Sequence, residues 1–256
     1  MARAQALATD AWPGVDLAAL PRHLAVIMDG NRRWALMRSL PGKTGHRAGR
    51  DTLRNLVTHC RELGIAHLTA FAFSTENWKR SEDEVSFLWA LFRDTMEREV
   101  NDLHKNNVKM RFIGEVQELG RDLQRSIARA EDLTRRNTGL VFNIALNYGG
   151  RREIISATRR IATAVAEGRL APDDVTEDLF GRFLYTGDQP DPDLLIRTSG
   201  EFRLSNYLLW QLAYTEIYVT DTYWPDFGRE DLLKALLTYQ KRDRRFGACA
   251  SRRRDA

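Results

Sequence analysis

Asp29, Gly30, Asn31, Arg32 and Arg33 stand directly behind a short apolar run, residues 24–28. A run of that length fits one buried strand. Asp29 and Gly30 end it, and a helical stretch begins within a few residues. A strand that feeds a helix start presents free backbone N–H groups and a positive dipole end at the strand's carboxyl edge. That arrangement binds anions, and Arg32 and Arg33 add side-chain charge to it. Asp29 would repel a phosphate there unless a cation lay between them. Mg²⁺ is the usual cation of that kind, held by one or two carboxylates together with substrate phosphates. An Asp N-cap followed by two solvated arginines would give the same string of residues, so this stretch alone leaves both readings open.

Three more polar clusters follow apolar runs: Ser74-Thr75-Glu76-Asn77-Trp78-Lys79-Arg80, Asn147-Tyr148-Gly149-Gly150-Arg151-Arg152, and Arg197-Thr198-Ser199-Gly200-Glu201-Phe202-Arg203. Turn chemistry accounts for the Gly, Asn and Ser in them but not for an Arg in each. Four such clusters on one edge describe a cleft for more than one anionic group.

The elements that must carry these clusters alternate between strand and helix patterns. Strands are predicted over residues 24–28, 68–73, 108–113, 140–146, 194–196 and 217–219. Between them lie helical spacings: Leu53, Leu56, Val57, Cys60 and Leu63 ended by Gly64; Val85, Leu88, Trp89, Phe92 and Met96; Leu119, Leu123, Ile127 and Ala130; Ile154, Thr158, Ile161 and Val165; and finally Leu232, Leu233, Leu236 and Leu237. Alternation of this kind means βαβ units and a mainly parallel sheet, whose ligands sit at the carboxyl ends of the strands.

The whole-chain properties agree. The 256 residues suit one α/β domain, and the 43% hydrophobic content supplies a core. A net charge of +4 and an isoelectric point near 9.2 favour anionic partners: phosphates, nucleic acid or an acidic membrane surface. Two cysteines, Cys60 and Cys249, make no disulfide framework and suit a reducing compartment. No apolar run approaches the roughly 18 residues of a membrane span, and no apolar signal core opens the chain. Residues 1–20 read as a loosely ordered lead-in. Other motifs fail. Gly42-Lys43-Thr44 ends like a phosphate-binding loop, but Met37 stands where that motif needs glycine. No G-x-G-x-x-G follows a strand, the histidines and cysteines lack zinc spacing, and no nucleophile signature is present. Asp173-Asp174 faintly resembles a diphosphate motif, but helix capping by Asp174 or Thr176 explains it better.

On residues 23–35, 45–49, 73–80, 147–152 and 193–227, the chain resembles the cis-prenyltransferases, specifically the bacterial undecaprenyl diphosphate synthases. The resemblance runs from about Pro21 to Gly247, which gives a catalytic domain at 21–247 and a basic tail at 248–256. It implies a single α/β domain with a six-stranded, mainly parallel sheet flanked by helices and a hydrophobic tunnel. It implies a homodimer that uses Mg²⁺ to condense isopentenyl diphosphate with an allylic diphosphate, and no nucleic-acid partner. Residue by residue, Asp29 matches the aspartate that holds the metal. Gly30, Asn31, Arg32 and Arg33 match the loop that grips the allylic diphosphate, with Trp34 beside it and His46 hydrogen-bonded to it. Ser74, Thr75 and Glu76 match a substrate-contacting run. Asn77 matches a residue that assists proton removal, and Trp78 and Arg80 follow in a mobile loop. Arg197, Arg203, Leu204 and Ser205 match the isopentenyl diphosphate site. Glu216 matches a metal-associated glutamate acting from the partner subunit's side. Ala72 matches a position along the tunnel and Leu140 one near its far end. A small residue at Ala72 and a long helix after Val85 imply an undecaprenyl-length product.

The chain departs from the family pattern in four places. Arg32 stands where many relatives have glycine. Gly42 stands where an arginine is usual, with Lys43 as a candidate substitute. Ser81 replaces a frequent proline, and Phe202 replaces a metal-associated histidine. Two other classes fit the residues less well. A non-catalytic family subunit would lack the aspartate and asparagine motifs, which are present. A nucleic-acid binder fits the charge but shows no recognised motif. The arginine-rich tail beyond Lys241 reads as a solvated end, with transient contact to an anionic membrane surface as its functional alternative. A cytoplasmic enzyme, at most peripheral to the membrane, is expected.

Overall fold

The computed structural model describes residues 12–242. The tail expected over residues 248–256 and Cys249 lie outside the described residues. Six strands form one sheet: β1 (His23–Ile27), β2 (His67–Ser74), β3 (Lys109–Ile113), β4 (Val141–Tyr148), β5 (Leu194–Arg197) and β6 (Glu216–Val219). Their order across the sheet is β3-β4-β2-β1-β5-β6, and all five pairings are parallel. All five residues of β1 are buried, as a central parallel strand covered on both faces requires.

The described residues form seven α-helices, six between the strands and one after the last: α1 (Asn31–Met37), α2 (Gly42–Leu63), α3 (Glu82–Lys105), α4 (Arg121–Thr134), α5 (Gly150–Ala166), α6 (Glu177–Arg182) and α7 (Arg229–Gln240). The main core packs β1, β2 and β4 against α2, α3, α4 and α7 through residues such as Leu24, Leu56, Leu68, Ile127, Ile144 and Leu236. A second core on the other face joins Ala25, Ile27, Leu195, Tyr148, Tyr207 and Leu212.

Four differences from the sequence reading have physical causes. The helix predicted around Leu53 starts eleven residues earlier, at Gly42. Its first turns carry Gly45 and Gly49, and a Cβ at either would strike Asn31, so these glycines let α1 and α2 touch. Part of the lead-in is packed rather than loose: Trp12 is 2% exposed and sits in the main core with Val15, because its indole meets the His59 ring edge-on and lies under the Arg229 guanidinium. On α3 the apolar stripe divides. Met96 and Val100 are buried, whereas Val85, Leu88, Trp89 and Phe92 are only partly so. Finally, the β2–β4 register slips between Phe71 and Phe73, leaving Ala72 unpaired and exposed toward the carboxyl end of a central strand. A bulge of this kind re-aims a side chain. The capping reading of the Asp173 segment holds: Asp174 accepts from the Ala171 amide and Thr176 from the Leu179 amide.

Candidate active site

The four polar clusters do meet at the carboxyl edge of the sheet. Asp29 follows β1, Ser74 ends β2, Asn147 and Tyr148 end β4 and Arg197 ends β5. Three of them line a polar cleft of about 640 Å³, whose walls include Asp29, Asn31, His46, Ser74, Glu76, Asn77, Arg80, Arg197, Arg203 and Ser205. The cluster at residues 147–152, expected to line it too, instead supports those walls: Asn147 is bonded to Trp78, the Arg151 amide to Asn206, and Arg152 is paired with Glu118. A smaller extension of about 220 Å³ is lined by Asp29, Gly30, Asn31, Arg32, Arg33, His46, Arg80 and Glu84. Asp29 and His46 line both parts.

Gly30 adopts φ +102°, and a Cβ there would collide with Ser199 and Tyr223. Glycine is therefore required twice over, by backbone conformation and by space. The turn delivers Asp29 into a group of arginines. Its Oδ1 accepts from Arg33 at 3.1 Å and its Oδ2 from Arg197 at 2.9 Å, with Arg203 4.0 Å away. Glu201 accepts from Arg33 at 2.8 Å and also pairs with Arg203. Arg197 also donates to the Arg203 carbonyl and, at 3.0 Å, to the Ser205 hydroxyl. Two carboxylates thus hold three guanidinium groups at one edge. Burial pushes the Asp29 carboxyl up, but the hydrogen bond from Arg197 and the charge of Arg33 outweigh it, so its pKa is lowered. Burial, then the charge of Arg80, keep His46 below the usual imidazole value despite Glu84 at 3.7 Å. His46 is a neutral hydrogen-bonding group at pH 7.

Ser74 and Asn77 form a reciprocal capping box that opens the 3-10 turn Thr75–Lys79; the Asn77 side-chain Oδ1 accepts from the Ser74 amide at 2.9 Å. Trp78 donates its indole N–H to Asn147 at 2.8 Å, and Arg80 pairs with Glu84 at 2.8 Å.

Five expected site residues do not line the cleft. Trp34 turns away and donates to Asp226 at 2.6 Å, under the guanidinium of Arg38. Thr75 faces Glu76, and Trp78 packs on Phe73 and Trp89. Leu204 packs against the second core. Glu216 opens β6, opposite Leu194 at the other end of the strands from Asp29, and pairs with Arg242. Lys43 lies over the Phe87 ring at 5.2 Å rather than in the cleft. The room above Gly42 is used by Arg32, whose Cγ comes within 3.5 Å of where a Cβ would stand. Sequence reasoning missed Glu84, Glu201 and Asn206. Asn206 follows the expected Ser205 directly, the one local signal that could have found it.

Below the polar cleft an apolar cavity of about 180 Å³ runs between α2, α3 and the sheet, from Met28, Ala72 and Leu88 past Trp89 and Phe92 to Leu103, Met110 and Phe142. Ala72 lines both spaces. Leu140, expected near the far end, is buried in the core and does not line it.

This pairing of an arginine-lined, anion-binding cleft with an apolar cavity on one parallel sheet suits a substrate with a diphosphate head and an apolar tail, and comparison with known proteins agrees. The family described as "Putative undecaprenyl diphosphate synthase" matches residues 27–247. The chain is 53% identical over 233 residues to an isoprenyl transferase of Heliobacterium mobile, covering 91% of this chain and 90% of that protein. It is 51% identical to the ditrans,polycis-undecaprenyl-diphosphate synthase ((2E,6E)-farnesyl-diphosphate specific) of Aliivibrio fischeri, covering 91% of each. Among solved structures, lavandulyl diphosphate synthase from Lavandula x intermedia, in complex with dimethylallyl diphosphate, superposes with a TM-score of 0.87 at 41% identity, over 90% of this chain and 99% of that one. A probable undecaprenyl diphosphate synthase from Campylobacter jejuni superposes with a TM-score of 0.74 at 36% identity, over 89% of this chain and 98% of that one. The chain belongs to the undecaprenyl diphosphate synthase family of prenyltransferases.

Proposed function

We propose that this transferase condenses isopentenyl diphosphate with an allylic diphosphate, farnesyl diphosphate being the starter, to build a cis-polyprenyl diphosphate of undecaprenyl length for a cell-wall lipid carrier. The observation that carries the reading is the shared position of Asp29 between two cationic subsites, directly above an apolar cavity entered past Ala72. The allylic C–O bond breaks heterolytically, so negative charge builds on the departing diphosphate. The N–H groups at the start of α1, Arg33 and the neutral His46 stabilise that charge where it develops. Arg197, Arg203 and Ser205 hold the second diphosphate, with guanidinium forks suited to bidentate contact. The terminal alkene carbon (C4) of isopentenyl diphosphate then bonds to the allylic carbon, which leaves positive charge on C3. C2, on the diphosphate side of C3, gives up a proton to the departing diphosphate to form the new double bond, and Asn77 assists the removal. Inorganic diphosphate is released, and the lengthened chain threads into the cavity.

The donor set fits Mg²⁺. Among the described residues no group of three or more His, Cys, Asp or Glu side chains could cage a metal, so Asp29 would share the ion with diphosphate oxygens and water, the usual Mg²⁺ arrangement. When bound, the ion supplies charge neutralisation of the leaving diphosphate. The reading extends to a homodimer in which Glu216 acts across the subunit boundary. Support for it comes from β6, an edge strand with Ile217 exposed, which a second copy would cover. No helix among the described residues is long and apolar enough to cross a membrane. The reading puts the enzyme in the cytoplasm, touching the membrane surface only in passing. Incubation with labelled isopentenyl diphosphate, farnesyl diphosphate and Mg²⁺, followed by chain-length chromatography, tests it. A polyprenyl ladder is expected; a single short product, or none, would overturn the assignment.

A further inference from the structure

The turn Thr75–Lys79 carries Asn77, and it is pinned from outside on both sides of that residue. On one side the Trp78 indole N–H meets Asn147 Oδ1 at 2.8 Å. On the other, Glu76 Oε1 accepts from Asn206 Nδ2 at 2.9 Å. Neither asparagine belongs to the turn. Both adopt positive φ, +47° at Asn147 and +62° at Asn206, which surrounding structure must enforce.

Asn206 is the more informative of the two. Its carbonyl accepts from the Gly150 amide at 2.7 Å and its Oδ1 from the Arg151 amide at 2.9 Å. Both amides belong to the first turn of α5, where N–H groups have no partner within the helix. With Oδ1 committed to Arg151, the amide nitrogen must face Glu76, so the side chain has one workable orientation. A Cβ at Gly149 would strike both Thr75 and Asn206, which shows how closely the three segments approach. Asn206 also follows Ser205 directly, on the segment that with Arg197 and Arg203 forms the second cationic subsite. Burial raises the Glu76 carboxyl, but the Asn206 hydrogen bond and its local contacts bring it below the ordinary value. A carboxylate in an anion cleft would otherwise be repelled by substrate, and its bond to Asn206 holds it aside.

We propose that Asn206 is a positioning residue for the prenyl-transfer step. It ties the segment of the second diphosphate subsite to Glu76 and so sets the placement of Asn77, one residue further on. The inference rests on the condensation reaction proposed above.

The experiment exchanges donor and acceptor. Asn206→Asp keeps an acceptor for the Arg151 amide at a helix start, where a carboxylate is favoured, but sets two carboxylates against each other at Glu76. A residue that merely caps α5 would tolerate this change. Positioning predicts that Asn206→Asp lowers kcat about tenfold or more, since small misplacements at a reacting centre have effects of that size. The KM for the allylic diphosphate should stay within about threefold of the parent, because its grip on Asp29, Arg33 and His46 is untouched. The pair Asn206→Asp with Glu76→Gln restores the hydrogen bond with its polarity reversed and should recover most of the lost kcat. Asn206→Gly serves if the Asp variant fails to fold. It keeps the positive φ and the carbonyl to Gly150, and should show the same kcat loss. Wild-type kcat in a folded Asn206→Asp or Asn206→Gly enzyme overturns the inference, as does a double variant no faster than Asn206→Asp. An inactive wild-type protein would instead overturn the condensation reaction itself.

Discussion

Arg197 and Asp29 form an ion pair between neighbouring strands, with Arg197 Nη2 2.9 Å from Asp29 Oδ2. The Arg197 side chain is 4% exposed, so its charge depends on that carboxylate and on two neutral acceptors, the Ser205 hydroxyl and the Arg203 carbonyl. The site is thereby assembled before any diphosphate arrives. Substrate exchanges one set of anionic partners for another rather than organising loose cations.

Asp29→Ala should abolish turnover while the chain still folds. Losing a charged partner costs about 3–5 kcal/mol when a buried ion is stranded. The two remaining acceptors should hold the loss to about 1–3 kcal/mol. Circular dichroism melting together with product assays checks both parts. Near-normal activity in a folded Asp29→Ala protein would refute the assigned role.

Chelation separates catalytic from structural metal. EDTA should stop elongation and leave the melting transition in place, because no caged metal site exists among the described residues. Cooperative unfolding on chelation would mean that a structural ion holds the fold.

At the other end of the sheet, His23 should make the protein acid-sensitive. Its Nδ1 meets the Pro190 carbonyl at 2.7 Å and must donate, so Nε2 accepts from the Thr69 hydroxyl, also at 2.7 Å. Burial is the main reason its pKa falls from 6.5 to about 4. A depressed folded-state value means the unfolded chain binds the proton first. The stability contributed by the neutral ring is therefore complete above the unfolded value of 6.5 and is lost as pH falls through about 4. The gap corresponds to about 3 kcal/mol. Urea unfolding between pH 7 and 4 should show this decline, and His23→Gln should flatten it. An unchanged slope in His23→Gln would assign the decline to other groups.

Much of this arrangement was legible in the residues, for identifiable reasons. The central strands announce themselves because both faces are buried, which leaves nearly unbroken apolar runs at residues 24–27 and 68–73. The cluster at each carboxyl end could be read from parallel topology alone. Trp34 could not, because helical spacing does not say which face of α1 turns to the cleft and which to Asp226. Glu216 shows its place within the subunit in the sequence. It precedes the apolar residues of β6, so it starts a parallel strand and lies at the edge away from Asp29. Glu84 and Asn206 gain their meaning from partners far off in sequence, His46 and Glu76, and no local pattern encodes such pairings.

If the apolar cavity takes the growing chain, as proposed above, the bulge at Ala72 bears on product length. The register slip beside Phe73 turns a central-strand methyl group out of the pleat, to the junction of the polar cleft and the apolar cavity. A chain growing from the cleft must pass it to reach Leu103 and Met110. Ala72→Leu adds three carbons at that narrowing, and a well-packed wall yields to such an addition only at a cost of about 1–3 kcal/mol. The substituted side chain should therefore occupy cavity space, and the dominant product should shorten while the first condensation proceeds at near-parent rate. If Ala72 merely packed under the sheet, the same change would lower the melting temperature and leave the products alone. Chromatography of dephosphorylated products separates the two outcomes: a shift to shorter polyprenols supports the passage, and an unshifted ladder from a folded Ala72→Leu enzyme refutes it.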